Sequence, residues 1–174
     1  VKELHPSYII YERTDLFSEM PGINKEYITS LDQELARNSN LVLYVNQAMY
    51  EEGIKYNSES MCIGHGVDYD IFANAYHNPF IPADIKNIKK PIVGFFGDIS
   101  TKTSDFDLIE FTIKNASDLS FVMVGPISAD IRRFAPYKNI YFLGPKPYEQ
   151  IPHYGKVFDV SMMPWNLNRW IQYC

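Results

Sequence analysis

The sequence is poor in cysteine and has neither a long apolar run nor a block of positive charge. Its 174 residues include only Cys62 and Cys174, too few for a disulfide framework or a cysteine-based metal site. No apolar run approaches the ~20 residues that a membrane span requires, and no signal peptide is visible. The composition is typical of a reducing compartment, and we expect a location in the cytoplasm or at the cytoplasmic face of a membrane.

The charge of this chain argues against nucleic-acid binding. The net charge is −5, and the densest positive group is Lys86, Lys89 and Lys90. Nucleic-acid binding requires a concentrated basic face. The sequence also has no Walker loop, no Gly-x-Ser-x-Gly elbow and no zinc-type spacing of its four histidines. We therefore expect no nucleic-acid partner, no cofactor and no bound metal.

Apolar runs alternate with helical patterns along the whole chain. This alternation predicts the α/β class with Rossmann-like parallel sheets. Strands are predicted at 7–11, 41–45, 61–63, 92–96, 119–124, 139–143 and 157–163. Helices are predicted at 23–35, 47–56, 105–114, 130–135 and 148–154.

The stretch 69–90 lacks a clean period and contains Pro79 and Pro82, which is typical of a linker. We predict one domain over 1–75, a hinge over 76–90 and a second domain over 91–174. The chain begins at Val1 without an initiator Met and ends at Trp170–Cys174 without a cap. We expect it to be a piece of a longer protein.

The second domain begins with the pattern that organises the chain. An apolar strand, 92–96, ends on Gly97; a polar loop, a helix and a second apolar strand then lead to Gly125 and Pro126. This order predicts a right-handed βαβ unit, the phosphate-handling element of open α/β sheets.

Four glycines follow predicted strands: Gly66, Gly97, Gly125 and Gly144. Because the carboxyl ends of parallel strands share one edge, backbone N–H groups there are predicted to line a groove for a nucleotide diphosphate. The alternative is that each glycine only allows a turn.

Few side chains near these glycines suit a ligand. Lys102 is expected to reach phosphate as a point charge, or else to be a solvated loop residue. Asp98 would repel phosphate, so it is expected to cap the loop or to accept from a sugar hydroxyl. Among the histidines, His65 is the one expected near a cleft.

Two acidic triplets allow two interpretations. Asp68-Tyr-Asp70 and Asp105-Phe-Asp107 carry paired carboxylates that could bind a divalent ion. Both triplets precede helical patterns, where Asp is favoured at the N-cap and in the first turn. We favour capping.

The motifs, taken in order, resemble those of GT-B-type retaining glycosyltransferases (glycosyl transferases group 1, family 4-like). Gly64-His-Gly-Val-Asp68 resembles the Pro-Asn-Gly-Val-Asp junction of that family. Pro91-Ile-Val-Gly-Phe-Phe-Gly97 resembles the first strand of its C-terminal domain, and Asp105-Phe-Asp-Leu-Ile109 the helix that follows. Further matches in the family's order are Phe121–Pro126, Asn139–Gly144, Tyr148–Tyr154 and Phe158–Pro164.

The resemblance implies a partial GT-B architecture, with an acceptor-side domain over 1–75 and a nucleotide-sugar-binding domain over 91–174. It implies transfer of a sugar from a nucleotide-sugar donor to a hydroxyl of a carbohydrate or lipid-linked acceptor, as in polysaccharide biosynthesis. By resemblance, Gly97 and its loop face the diphosphate, and Gly125 and Pro126 lie near the nucleoside. The base is faced by 144–147, which includes Pro145 and Lys146, while His65 and Gly66 lie at the domain junction.

Two departures from the family pattern limit what this chain can do. Asp98 stands where many relatives carry an Arg, and Lys102 only approximates the family's loop lysine. By resemblance, the family's two-glutamate motif is expected just beyond Arg169, outside this chain. We therefore expect nucleotide binding at most from the chain itself, with catalytic residues and any peripheral membrane contact in other parts of the parent enzyme. A GT-B-fold UDP-sugar epimerase and a non-catalytic nucleotide-binding module remain as alternatives.

Overall fold

The computed structural model describes residues 5–173, which form two compact units. The first unit contains the described residues up to Val67 together with the returning segment from Leu167 onward. The second unit is continuous, from Asp68 to Asn166. No helix in the described part of the chain has both the length and the apolar character to cross a bilayer.

The first unit is a three-stranded parallel sheet with helices on one face. Its strands follow the order β1-β2-β3. The elements are β1 (Ile10–Arg13), α1 (Lys25–Asn38), β2 (Leu41–Tyr44), α2 (Gln47–Gly53) and β3 (Ser60–Cys62), with 3-10 turns at Phe17–Glu19 and Ile171–Tyr173.

Local sequence explains the start of each helix in the first unit. The side chain of Asn24 accepts from the amide of Tyr27 at the start of α1, and Asn46 accepts from that of Met49 at the start of α2. The two helices bury one face of β2, where Val42 and Tyr44 are fully buried. The unit therefore has a small core centred on β2.

The second unit is a four-stranded parallel sheet covered on both faces. Its strands follow the order β6-β5-β4-β7. The elements are α3 (Tyr69–His77), β4 (Ile92–Phe96), α4 (Phe106–Asn115), β5 (Ser120–Val124), β6 (Ile140–Gly144), α5 (Ile151–Gly155) and β7 (Val160–Ser161), with 3-10 turns at Arg132–Phe134 and Tyr148–Gln150.

Burial on both faces explains the unbroken apolar runs of β4 and β5. Every residue of β5 is buried. Ile109 and Ile113 of α4 pack in one core cluster with Phe121 and Met123, the side chains of one face. A second cluster joins Tyr154 of α5 to side chains of the other face, including Ile92, Val122 and Val124.

The compact units divide the chain differently from the predicted domains. The stretch 69–90, predicted as a linker, begins with helix α3, which is capped by Asp68. Lys156 Nζ donates to the carbonyl of Ala75 at 3.1 Å, so α3 is tied to the second unit rather than to a hinge. The segment from Leu167, predicted to lie in the second domain, belongs to the first unit.

Two predicted elements are much shorter than the sequence indicates. The strand predicted at 157–163 pairs with β4 only at Val160 and Ser161. The helix predicted at 130–135 is a single 3-10 turn. In the strand segment Val160 and Met163 are exposed, so burial does not extend the pairing there. The 3-10 turn buries Phe134 alone.

Candidate functional site

Three of the predicted glycines lie side by side at the carboxyl edge of the second sheet. Gly97 follows β4, Gly125 follows β5, and Gly144 ends β6. The amide of Gly97 donates to the carbonyl of Val124 at 2.9 Å, and that of Gly125 donates to Gly144 at 3.0 Å. These bonds bring the three strand ends into one continuous edge.

Gly125 is required by close packing of the backbone. An added Cβ at this position would lie 1.9 Å from the carbonyl oxygen of Gly97, and the φ of Gly125 is +143°. The amides of Gly97 and Gly125 already donate within the sheet. These two amides, which the sequence predicted as phosphate donors, are therefore not free to donate to a ligand.

The loop 98–104 presents backbone N–H groups in their place. It is closed on itself, since Thr103 Oγ1 donates to the carbonyl of Asp98 at 3.1 Å and the amide of Ser104 to that of Ser100 at 2.8 Å. The amides of 101–103 donate to no other group within residues 5–173. Successive free amides in a turn form the kind of concavity that binds anions.

The loop is also held from outside by Asn166. Its Nδ2 donates to the carbonyls of Thr101 at 3.1 Å and Lys102 at 3.2 Å, and its amide donates to Thr103 at 2.9 Å. The carbonyls of the loop are thereby turned towards Asn166. No feature of the sequence pattern pointed to this residue, because the contact joins positions more than sixty apart.

Asp98 and Lys102 are exposed side chains of this loop. Asp98 Oδ2 lies 3.4 Å from the same Thr103 hydroxyl, a local contact within the loop. Lys102 forms no ion pair with another described residue. Its ammonium is therefore available as a mobile point charge.

Lys146, beyond Gly144, is already engaged by two neighbours. Its Nζ lies 2.7 Å from Asp84 Oδ2, and Tyr154 donates to Asp84 Oδ1 at 2.9 Å. Partial burial raises the pKa of Asp84, but the hydrogen bonds from Lys146 and Tyr154 outweigh it and hold that pKa below its usual value. The hydrogen bond to Asp84 in turn raises the pKa of Lys146. The charge of Lys146 is therefore largely compensated within the fold.

The remaining predicted residues lie at the surface. The carbonyl of Pro126 accepts from the amide of Ile99 at 2.9 Å and extends the pairing past Gly125, and Pro145 is exposed. His65 and Gly66 are exposed residues of the first unit, beyond β3. They belong to a different compact unit from the three strand-end glycines.

The first residue of each acidic triplet is a helix cap. Asp105 accepts from the amide of Leu108 at 2.9 Å at the start of α4, and Asp68 accepts from that of Ile71 at 3.5 Å at the start of α3. This confirms the capping interpretation. Within residues 5–173, no three His, Cys, Asp or Glu side chains are grouped closely enough to hold a metal ion.

Comparison with known proteins gives one relative in sequence and a fold shared with solved structures. No family model matches the sequence. TuaH of Bacillus subtilis (strain 168), which is named as a teichuronic acid biosynthesis glycosyltransferase, is 25% identical over 107 residues, covering 59% of this chain and 26% of TuaH.

The fold matches two crystal structures of Alr3699/HepE from Anabaena. The complex with UDP and glucose has a TM-score of 0.61 at 18% identity, covering 87% of this chain and 45% of HepE. The complex with UDP has a TM-score of 0.62 at 17% identity, covering 92% of this chain and 48% of HepE. The chain spans less than half of HepE and about a quarter of TuaH.

These likenesses confirm the predicted fold class, α/β with Rossmann-like parallel sheets in a partial GT-B architecture. The match to TuaH also bears out the resemblance to glycosyltransferases on which that architecture was predicted. The assignment of substrate contacts to individual residues stays a prediction.

Proposed function

We propose that this chain is part of a GT-B-type glycosyltransferase that moves a sugar from a nucleotide-sugar donor to a hydroxyl acceptor with retention. The acceptor is a carbohydrate or a lipid-linked sugar, as in polysaccharide synthesis. The enzyme acts in the cytoplasm or at the cytoplasmic face of a membrane. The second unit carries the donor site, and the first unit belongs to the acceptor side.

The continuous edge formed by Gly97, Gly125 and Gly144 supports this proposal most directly. In open parallel sheets, ligands bind outside the carboxyl ends of the strands. The edge occurs in a fold shared with HepE, a protein whose structures contain UDP and UDP with glucose.

The donor diphosphate is assigned to the loop 98–104, where the amides of 101–103 and the ammonium of Lys102 provide positive potential. Fixed backbone dipoles that face a developing charge stabilise a leaving group without needing to reorient. This arrangement would stabilise the departing nucleoside diphosphate without a bound metal. The nucleobase is assigned to the segment 144–147.

Titration of the chain with UDP, GDP and ADP tests the donor site. Trp165 is a suitable reporter, because its backbone forms a β-bridge with Ser104 at the end of the loop. Among the described residues, the second unit contains no other tryptophan. In a Trp170→Phe background, we expect UDP to change the fluorescence of Trp165 in a saturable way.

Lys102→Gln is expected to weaken nucleoside diphosphate binding several-fold and to leave uridine binding almost unchanged. Lys114→Gln, which removes a charge at the far end of α4, serves as the matched control. No saturable response to any of the three nucleotides would overturn the donor-site assignment.

A further inference from the structure

The first unit contains a polar cavity that the donor site does not use. Its volume is about 190 Å³, and it lies beside the end of β1, between α1, α2 and the returning segment. The charged lining residues are Arg13, Lys25, Lys55, Arg169, Glu19, Asp32 and Glu52. From this cavity we infer a binding site for an oxyanion, a carboxylate or phosphate group on a ligand of about monosaccharide size.

Arg13 is the central observation. It is the last residue of β1 and only 9% exposed, yet its Nε has no hydrogen-bond partner within the described residues. Its Nη2 lies 2.7 Å from Asp32 Oδ2, so one edge of the guanidinium is paired while Nε is not. Buried polar groups are nearly always hydrogen-bonded, and an unpaired donor on a buried guanidinium needs an explanation.

The carboxylates of the cavity are already satisfied by protein donors. Asp32 accepts from Tyr11 as well as from Arg13, at 2.7 Å each. Glu19 Oε1 lies 2.5 Å from Lys25 Nζ and 3.5 Å from Arg169 Nε. Glu52 accepts from the Tyr173 hydroxyl and lies 3.8 Å from Arg169 Nη2, so each of the three acids meets two donor groups.

The cationic side chains, in contrast, keep unused donors. A guanidinium has five N–H groups and an ammonium three, and the contacts of Arg13 and Lys25 with carboxylates use only a fraction of them. The lining also has four cationic side chains against three carboxylates, in a chain whose net charge is −5. The groups at this site that remain free to form hydrogen bonds are therefore mainly N–H donors. Such donors bind the acceptor oxygens of an oxyanion.

The site does not depend on the proposed function, since all of its residues lie in the first unit. That the oxyanion belongs to the acceptor sugar is a separate step that rests on the proposed transferase activity. Binding of phosphate or glucuronate without binding of UDP would overturn the donor site alone. Binding of UDP without binding of either anion in the cavity would overturn this site alone.

The test is an NMR titration of the full chain with inorganic phosphate, glucuronate and glucose at low salt. The Nε–Hε signal of Arg13, assigned by its loss in Arg13→Lys, is expected to move in a saturable way with phosphate or glucuronate and not with glucose. A response to glucuronate alone would define a carboxylate site. A response to both would define a general oxyanion site, and a response to neither would overturn the inference.

Single substitutions distinguish specific anion binding in the cavity from nonspecific attraction of anions to positive charge. Arg13→Lys is expected to weaken anion binding by about tenfold or more, the range for a hydrogen bond to a charged group. Lys25→Gln, at an exposed lysine, is expected to weaken binding by about two- to fivefold. Arg132→Gln removes the same charge from an exposed site of the second unit and should change nothing.

Equal weakening by Arg132→Gln and Lys25→Gln would overturn the inference, because the effect would then follow net charge. If Arg13→Lys does not fold, Lys25→Gln and the wild-type titration still decide between the outcomes.

Discussion

The carbonyl oxygen of Gly97 occupies the space in which a side chain on Gly125 would begin, 1.9 Å from the position of its Cβ. The two residues end neighbouring strands, and the contact is between backbone atoms that cannot rotate away. The backbones of residues 97 and 125 can therefore approach this closely only if residue 125 is glycine.

Gly125→Ala should destabilise the second unit and abolish the UDP response. Inserting a methyl group against fixed backbone typically costs about 1–3 kcal/mol, and the positive φ adds strain. Urea unfolding measures the loss of stability, and the fluorescence of Trp165 measures nucleotide binding. Gly66→Ala is the control, because an added Cβ there meets no atom within 4 Å. Unchanged stability in Gly125→Ala would contradict close packing between Gly97 and Gly125.

Asp84→Asn should free Lys146 and loosen the segment after β6. The substitution keeps an oxygen that can accept from Tyr154 but removes the charge that lies 2.7 Å from Lys146 Nζ. Because Asp84 is partly exposed, we expect a loss of about 1 kcal/mol after solvent screening. Asp118→Asn, at an exposed residue of the loop before β5, is the matched control and should be neutral.

The same carboxylate predicts a dependence of stability on pH. The pKa of Asp84 is lower in the folded than in the unfolded chain, so its contribution is fully present above the unfolded value of about 3.9. The contribution is lost as the pH falls through the lower, folded value. The difference in unfolding free energy between wild type and Asp84→Asn should therefore shrink on acidification below about pH 4. A difference that grows on acidification would show that the sign is wrong.

Asp105→Ala should destabilise α4 more than Asp68→Ala destabilises α3. The cap bond of Asp105 is 2.9 Å long and that of Asp68 is 3.5 Å. Loss of a good N-cap costs about 1 kcal/mol, and we expect less than half of that for the longer bond. Thermal unfolding with and without Mg²⁺ separates capping from the metal alternative. Stabilisation of the wild type by Mg²⁺ that either variant removes would favour the metal.

Asp32→Asn should destabilise the first unit strongly. It leaves the buried guanidinium of Arg13 without its anion, and breaking a buried pair in this way typically costs about 3–5 kcal/mol. Asp130→Asn breaks an exposed pair with Arg132 and should have little effect. Denaturant unfolding of both variants checks the contrast, and similar small losses would show that the Arg13 pair is solvated.

Strands β4 and β5 of the second unit could be predicted from sequence because both faces of the sheet are covered. Burial on two sides makes β4 and β5 continuous apolar runs, and the glycines mark where each strand ends. The edge on which Gly97, Gly125 and Gly144 meet follows from parallel pairing alone. This part of the candidate site could therefore be predicted from the sequence alone.

The side-chain contacts that hold the site in place could not be predicted from the sequence. Lys146 meets Asp84 across 62 positions and Asn166 holds Lys102 across 64, and no periodicity links such residues. Helix α3 was predicted only in part, because Asp68 was expected to cap a helical pattern while the stretch 69–90 was predicted as a linker. Tyr69 and Tyr76 are both more than 70% exposed, so its apolar residues do not form one buried face. The helix is held by the cap at Asp68, by Lys156 and by packing of Phe72 against Tyr148.

The first unit is discontinuous in sequence, and this has a consequence for the order in which the protein can be made. During synthesis, β1 to β3 emerge before Asp68–Asn166, and the segment from Leu167 that belongs to the first unit emerges after it. Asn46 and Glu52 meet Tyr173 only after that. All residues of the second unit are therefore synthesised before the segment from Leu167 can join the first unit.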